Sequence, residues 1–293
     1  MSDELAIGNV LFRQSKLGPT AEIGRSYDLV IAGLSWETRG TVALSRLRKT
    51  DMPVVLLKFR SRSVEIEASK AAQFGNYRKL LANVSVKDLE PSINAQENFL
   101  IIKTWLQDLY ARAGKPLSIL LDMTCLPKTY VLFLLGLGFR EELAARIDCL
   151  YTPGKYDLVS SSASGAPVIT GPRSILSEGE WHSRQIPYLE ASEYIANDLD
   201  LLVTLGGELG LSLPFIDRFE PRRLGLVFID ETSPGKGTPM LASERMAYEE
   251  LLREPNVMQI DMPLCDAVGM ARHALTFVDA SSARGITLMA IGA

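Results

Sequence analysis

The sequence predicts an α/β protein made of two tandem Rossmann-like halves, each built on a parallel sheet. Three observations predict it. Short runs rich in Val, Ile and Leu alternate with amphipathic stretches of helical length, the pattern of strands joined by crossover helices. The order of runs then repeats. Strands are expected to begin at Asp28, Pro53, Val84 and Leu117, and again with nearly the same spacing at Asp200, Leu224, Val257 and Gly285. A segment of different composition separates the two sets, placing one half at 1–153, a connector at 154–198 and the other half at 199–293.

Taken in order, the first strand is Tyr27-Asp-Leu-Val-Ile-Ala-Gly33, followed by the loop Leu34 to Gly40. The second is Pro53 to Phe59. A helix from Val64 to Leu81 turns Ala, Phe and Leu to one face, and a third strand, Val84 to Leu89, ends at the turn Glu90-Pro91-Ser92. The next helix, Ala95 to Ala113, sets Phe99, Ile102, Trp105, Leu106 and Leu109 at core spacing. Leu117 to Asp122 is the fourth strand, and Met123 to Lys128 leads into an apolar helix. A fifth strand is expected near Ile147 to Tyr151.

The connector reads as a hairpin, Tyr156-Asp-Leu-Val and Val168-Ile-Thr around a small-residue turn, then an irregular stretch with a short strand at Ile186 to Leu189. In the second half, a charged helix ending in Glu250-Leu-Leu mirrors Lys79-Leu-Leu, and Pro263 mirrors Pro91. The last strand runs to the final residues, where the first half continues into a covering helix. A bare apolar strand leaves surface uncovered, so the second half is expected to be truncated after its last strand.

A formal charge of −4 argues against a duplex nucleic-acid binder, which needs surplus Lys and Arg, but leaves room for a local basic cleft. Three cysteines without CxxC spacing and two isolated histidines make no metal site, and no cofactor is expected. The unpaired cysteine count suits a reducing cytoplasm. Residues 1–16 lack the apolar core of a signal peptide, and Tyr130 to Phe139 falls short of the roughly 18–20 residues a membrane span needs.

In parallel sheets, ligands sit outside the carboxyl ends of the strands. After the first strand come Ser35, Trp36, Glu37 and Arg39: a stacking face beside a base suited to phosphate, unless Ser35 only caps a helix. After the second come Lys58 and Arg60, with Arg62, Ser61 and Ser63, an anion site or a solvated edge. After the fourth comes Asp122-Met-Thr-Cys-Leu-Pro-Lys-Thr129. There Asp122, Thr124, Cys125, Lys128 and Thr129 surround a helix start whose free N–H groups attract anions, or Asp122 and Thr124 merely cap it. Pro127 suits the first helical turn. Cys125 at a helix start could be a nucleophile, but with no histidine nearby it reads as a packed thiol, and His273 as an ordinary helix residue. Ser233-Pro-Gly-Lys-Gly-Thr238 lacks the first glycine and the hydroxyl of a P-loop, and Gly206-Gly-Glu-Leu-Gly210 has the wrong spacing for a dinucleotide fingerprint.

Gly33-Leu-Ser-Trp-Glu37 followed by Asp122-Met-Thr-Cys-Leu-Pro-Lys128 resembles the CRISPR-associated Rossmann fold (CARF) sensors. Two such units in one chain resemble the SAVED domains of bacterial antiphage systems. The resemblance covers about a tenth of the chain, and Cys125-Leu-Pro127 stands where that family has glycines. It implies recognition of a cyclic oligonucleotide between the halves, with Ser35 and Glu37 in one ligand loop and Thr124 and Lys128 in the other. The expectation is a nucleotide sensor of a bacterial defence or signalling system, working with a separate effector. Two alternatives stand beside it. One is an enzyme on a nucleotide or phosphoribosyl substrate, with Asp122 or Glu37 as acid/base and Lys128 as phosphate clamp. The other is a scaffold without small ligand. The composition does not decide whether the chain forms a homo-oligomer.

Overall fold

A computed structural model of the chain describes residues 4–18, 20–48, 51–152, 186–189, 199–205, 213–230, 248–263, 266–281 and 285–290. The first element is an antiparallel hairpin, β1 (Glu4–Ile7) and β2 (Val10–Arg13), turned through Gly8 at φ 58°. Then follow β3 (Leu29–Gly33), β4 (Val54–Phe59), helix α1 (Val64–Leu80), β5 (Val84–Leu89) and α2 (Ala95–Ala113). The half closes with β6 (Leu117–Asp122), α3 (Lys128–Arg140) and β7 (Ala144–Leu150). Strands β3 to β7 form one parallel sheet in the order β5-β4-β3-β6-β7.

The second half repeats the plan. Strands β8 (Leu199–Leu205), β9 (Arg223–Asp230), β10 (Val257–Pro263) and β11 (Gly285–Ala290) pair in parallel in the order β10-β9-β8-β11. Helix α4 (Leu213–Phe219) lies between β8 and β9, and α5 (Ala267–Asp279) between β10 and β11. Reading β8 as the counterpart of β3, the strand orders are the same as far as the fourth strand. The fold class is therefore two Rossmann-like parallel-sheet halves.

The central strands of each sheet are buried on both faces, as in parallel sheets generally. In the first, Leu29, Ile31, Ile119 and Leu121 meet α2 and α3 through Phe99, Ile102, Phe133 and Leu137, while Val30, Ala32, Leu56 and Leu120 face Leu44 and Tyr77. In the second, Leu201, Val203, Leu226 and Phe228 pack with Ile216 and Tyr248, and Leu202, Val227 and Ile260 pack with Phe277. The chain divides into two compact units, and the N-terminal hairpin belongs with the second sheet. Gln14 accepts the Val268 N–H at the start of α5 (3.0 Å), and Arg272 reaches the Glu4 carbonyl (2.8 Å).

Several expectations are corrected. The core-facing side of α1 carries Lys70, Gln73, Phe74 and Tyr77, with Leu81 buried just past its end, whereas the alanines are exposed; the Lys70 amine bonds the Phe59 carbonyl and Glu67. Pro127 is the extended residue before α3, not part of its first turn. Ile186 to Leu189 is a turn closed by Leu189 N–H to the Ile186 carbonyl (3.1 Å), not a strand. The proposed hairpin at 156–170, the segments 206–210 and 233–239, His182 and Cys265 lie outside the described residues. Among the described residues, no helix is long and apolar enough to cross a membrane.

Candidate functional site

From β3 the chain steps outward through β4 to β5, then returns across the sheet to β6 and β7. The order reverses between β3 and β6, and the carboxyl ends at such a reversal are where parallel sheets commonly bind ligands. The loops leaving these two strands carry most of the candidate residues.

The two loops are in close contact. A Cβ on Gly33 would stand 2.5 Å from the Cys125 carbonyl oxygen, so only glycine lets the β6–α3 loop cross the end of β3. A Cβ on Gly40 would meet the Tyr77 hydroxyl at 2.7 Å and the Cys125 sulfur at 3.1 Å. The β3 loop continues as two 3₁₀ turns, Thr38–Thr41 and Leu44–Arg46, in place of a full helix.

Within this junction Arg39 is paired with Glu37 through its Nε and donates from Nη1 to the Thr152 carbonyl at 3.3 Å. The Thr152 N–H donates to Thr124 Oγ1 (3.0 Å), and the Thr124 N–H donates to Asp122 Oδ1 (3.0 Å). One hydrogen-bonded chain thus ties the ends of β3, β6 and β7. Asp122 is 1% exposed, and its second oxygen, Oδ2, has no hydrogen-bond partner among the described residues. Burial raises its pKa above the usual carboxylate range, opposed by the Thr124 bonds and by the charge of Arg39. Around it, burial pushes the Cys125 thiol up to about 12, with the charges of Glu37 and Asp122 adding to the effect. Tyr77 is raised by burial and then by Asp122. Cys125 is therefore a packed thiol at neutral pH.

Ser35 accepts the Glu37 N–H at 3.4 Å and bonds Cys125, so it serves the loop itself rather than a helix. Trp36 is 46% exposed. Lys128 and Thr129 open α3. The Lys128 side chain meets solvent, yet the surrounding protein lowers its ammonium below the ordinary amine value.

The second strand's basic residues are engaged elsewhere. Lys58 pairs with Glu67 (3.0 Å) and Asp88 (3.7 Å), and Arg60 with Glu90 (3.2 Å). Ser63 caps α1 by accepting the Ile66 N–H, and Glu67 accepts the Ser61 N–H at 2.8 Å. Lys58, Arg60, Ser61 and Ser63 thus share a cap and ion-pair network, with Arg62 exposed beside it. Two junction residues carry no signal in the sequence. Tyr77 reads as one more helix residue, and Thr152 contributes through its backbone.

Among the described residues, no group of three or more His, Cys, Asp or Glu could hold a metal ion. Comparison with protein-family models, curated proteins and solved structures returns no match.

Proposed function

We propose that this chain is a nucleotide sensor that binds its ligand at the carboxyl ends of β3 and β6. The observation that carries the reading is the packing of the β3 and β6 loops at the point where the strand order reverses. Those loops bring an exposed aromatic, Trp36, a backbone-anchored arginine, Arg39, and Lys128 at a helix N-terminus to one edge of the sheet. The chemistry suits a base stacked on Trp36 and phosphate near Arg39 and the start of α3. Residues 33–37 and 122–128, which resemble the CARF motifs, are the residues of these two loops. That likeness favours a cyclic oligonucleotide, read out through a separate effector protein in a bacterial defence or signalling system.

A thermal-shift screen with linear and cyclic di-, tri- and tetranucleotides tests this, with NAD and ATP as controls. A ligand at 100 times its Kd stabilises the fold by about 2.7 kcal/mol. Arg39→Ala and Lys128→Ala should each abolish the shift at the same ligand concentration. Unchanged affinity in both variants would remove the site from these loops. Asp122, buried with one oxygen unpartnered among the described residues and its pKa raised, favours a second reading as an acid/base enzyme on a nucleotide. Consumption of the stabilising ligand would decide for that reading, and its recovery intact for the sensor.

A further inference from the structure

We propose that Glu37 is a resident competitor for the ligand's anion at Arg39, so that tight binding requires a ligand with more than one phosphate. The inference rests on the reading of Arg39 as the anion-binding group of the nucleotide site.

Two acids act on this one guanidinium. Asp122 acts through its charge alone, 1% exposed and held by Thr124, where no solute displaces it. Glu37 lies on the accessible side, its side chain 28% exposed against 23% for Arg39. The Cys125 thiol, which also feels the charge of Arg39, is raised by burial to about 12 and is neutral near pH 7. Lys128 follows on the adjacent loop. Without ligand, the charge of Arg39 is already matched from the solvent side.

Glu37 is not needed to place the arginine. Nη1 of Arg39 is anchored independently on the Thr152 carbonyl, which comes from the end of β7 rather than from the β3 loop. A carboxylate that pairs with a group it need not position acts as a placeholder for another anion. A ligand with one phosphate then exchanges one ion pair for another and gains little. A ligand with a further phosphate displaces Glu37 and also engages Lys128 and the N-terminus of α3, and so binds with a surplus. The site discriminates by the number of phosphates before it reads any base.

Titration calorimetry with inorganic phosphate, pyrophosphate and tripolyphosphate tests this without knowledge of the base. The proteins compared are the wild type, Glu37→Gln and Arg39→Ala. The wild type should bind tripolyphosphate far more tightly than phosphate. Glu37→Gln should gain about fivefold for phosphate, the range of a partly exposed ion pair, and by a similar factor for tripolyphosphate, which displaces the same carboxylate. Arg39→Ala should lose affinity for all three. Glu37→Ala should reproduce the gain if the glutamine variant folds poorly. Equal or weaker phosphate binding in both Glu37 variants overturns the proposal, as does no binding of any polyphosphate. Nucleotide binding in the screen above alongside unchanged Glu37 variants would sink this inference alone. A gain for phosphate with no nucleotide bound would sink the nucleotide reading and leave the competitor standing.

Discussion

The two sheets begin their central strands with the same residue used in different depths of burial. In the first, Asp28 precedes β3 and accepts the Ser118 N–H from β6 at 2.8 Å, with Lys115 at 3.1 Å and about a third of the side chain exposed. In the second, Asp200 on β8 is fully buried. It accepts hydrogen bonds from Ser281 Oγ at 2.6 Å and Arg222 at 3.3 Å and forms an ion pair with Arg223 at 3.0 Å, while Arg223 also stacks 4.1 Å over Phe277. Both aspartates reach toward the approach to the fourth strand, so the repeat extends from strand order to the device that fastens the first strand to the fourth. The depth differs, and depth sets the energetic stake of an ion pair.

The largest expected effect follows from that contrast. Asp200→Ala leaves two arginines against an empty buried position and should destabilise the second unit by about 3–5 kcal/mol. Asp28→Ala removes one charge-assisted bond at a partly exposed site and should cost about 1 kcal/mol in the first unit. Urea unfolding followed by hydrogen exchange in each sheet separates the two units, whose transitions need not coincide. Equal losses would break the comparison, because they would mean that burial around Asp200 does not raise its contribution.

A second, smaller contrast concerns glycines that neighbours crowd. On Gly33 a new Cβ meets backbone, the Cys125 carbonyl at 2.5 Å, whereas on Gly225 of β9 it meets side chains, Leu202 Cδ1 at 2.5 Å and the Phe277 ring at 3.0 Å. Side chains yield by rotation and a crossing loop does not. Gly33→Ala should cost about 3 kcal/mol and Gly225→Ala about 1–2 kcal/mol, measured as above. Ligand binding should fail in Gly33→Ala and survive in Gly225→Ala. The reverse order would mean that the β6–α3 loop is free to lift from β3.

What was legible in the sequence follows the range of the interactions involved. Strand starts at Val84, Leu117, Val257 and Gly285 and the helix at Ala95–Ala113 agree with the structure, because period and apolar runs are local signals. The N-terminal hairpin had a local signal too, Gly8-Asn9 between two four-residue runs, but the runs are too short for alternation to stand out. The Arg39–Thr152–Thr124–Asp122 chain had none. It joins residues far apart in sequence, partly through a backbone carbonyl and N–H that any residue supplies. The ion pairs of Lys58 and Arg60 had no local signal either: their acids, Glu67, Asp88 and Glu90, lie on later elements.

The smallest effect compares the two ends of the first sheet. At the amino end, the Ser118 N–H bond, helped by Lys115, lowers the pKa of Asp28 below the usual carboxylate range. The fold therefore binds that proton less tightly than the unfolded chain does. Its stabilisation is complete above the ordinary aspartate range and is lost as pH falls through the folded value. At the carboxyl end, burial raises the pKa of Asp122, so the fold binds that proton more tightly. Here the sign is opposite: the penalty is absent in acid and grows as pH rises from the ordinary aspartate range through the raised value. Urea midpoints measured from pH 3 to pH 8 should show Asp28→Asn falling behind the wild type as pH rises. Asp122→Asn should instead move ahead, to about 1 kcal/mol at pH 7. An Asp122→Asn variant that loses stability at pH 7 would show that Arg39 holds this carboxylate ionised and that its second oxygen carries no penalty. A gain would mark Asp122 as a group kept against the interest of the fold, and buried polar groups of that kind gather where a protein binds or reacts.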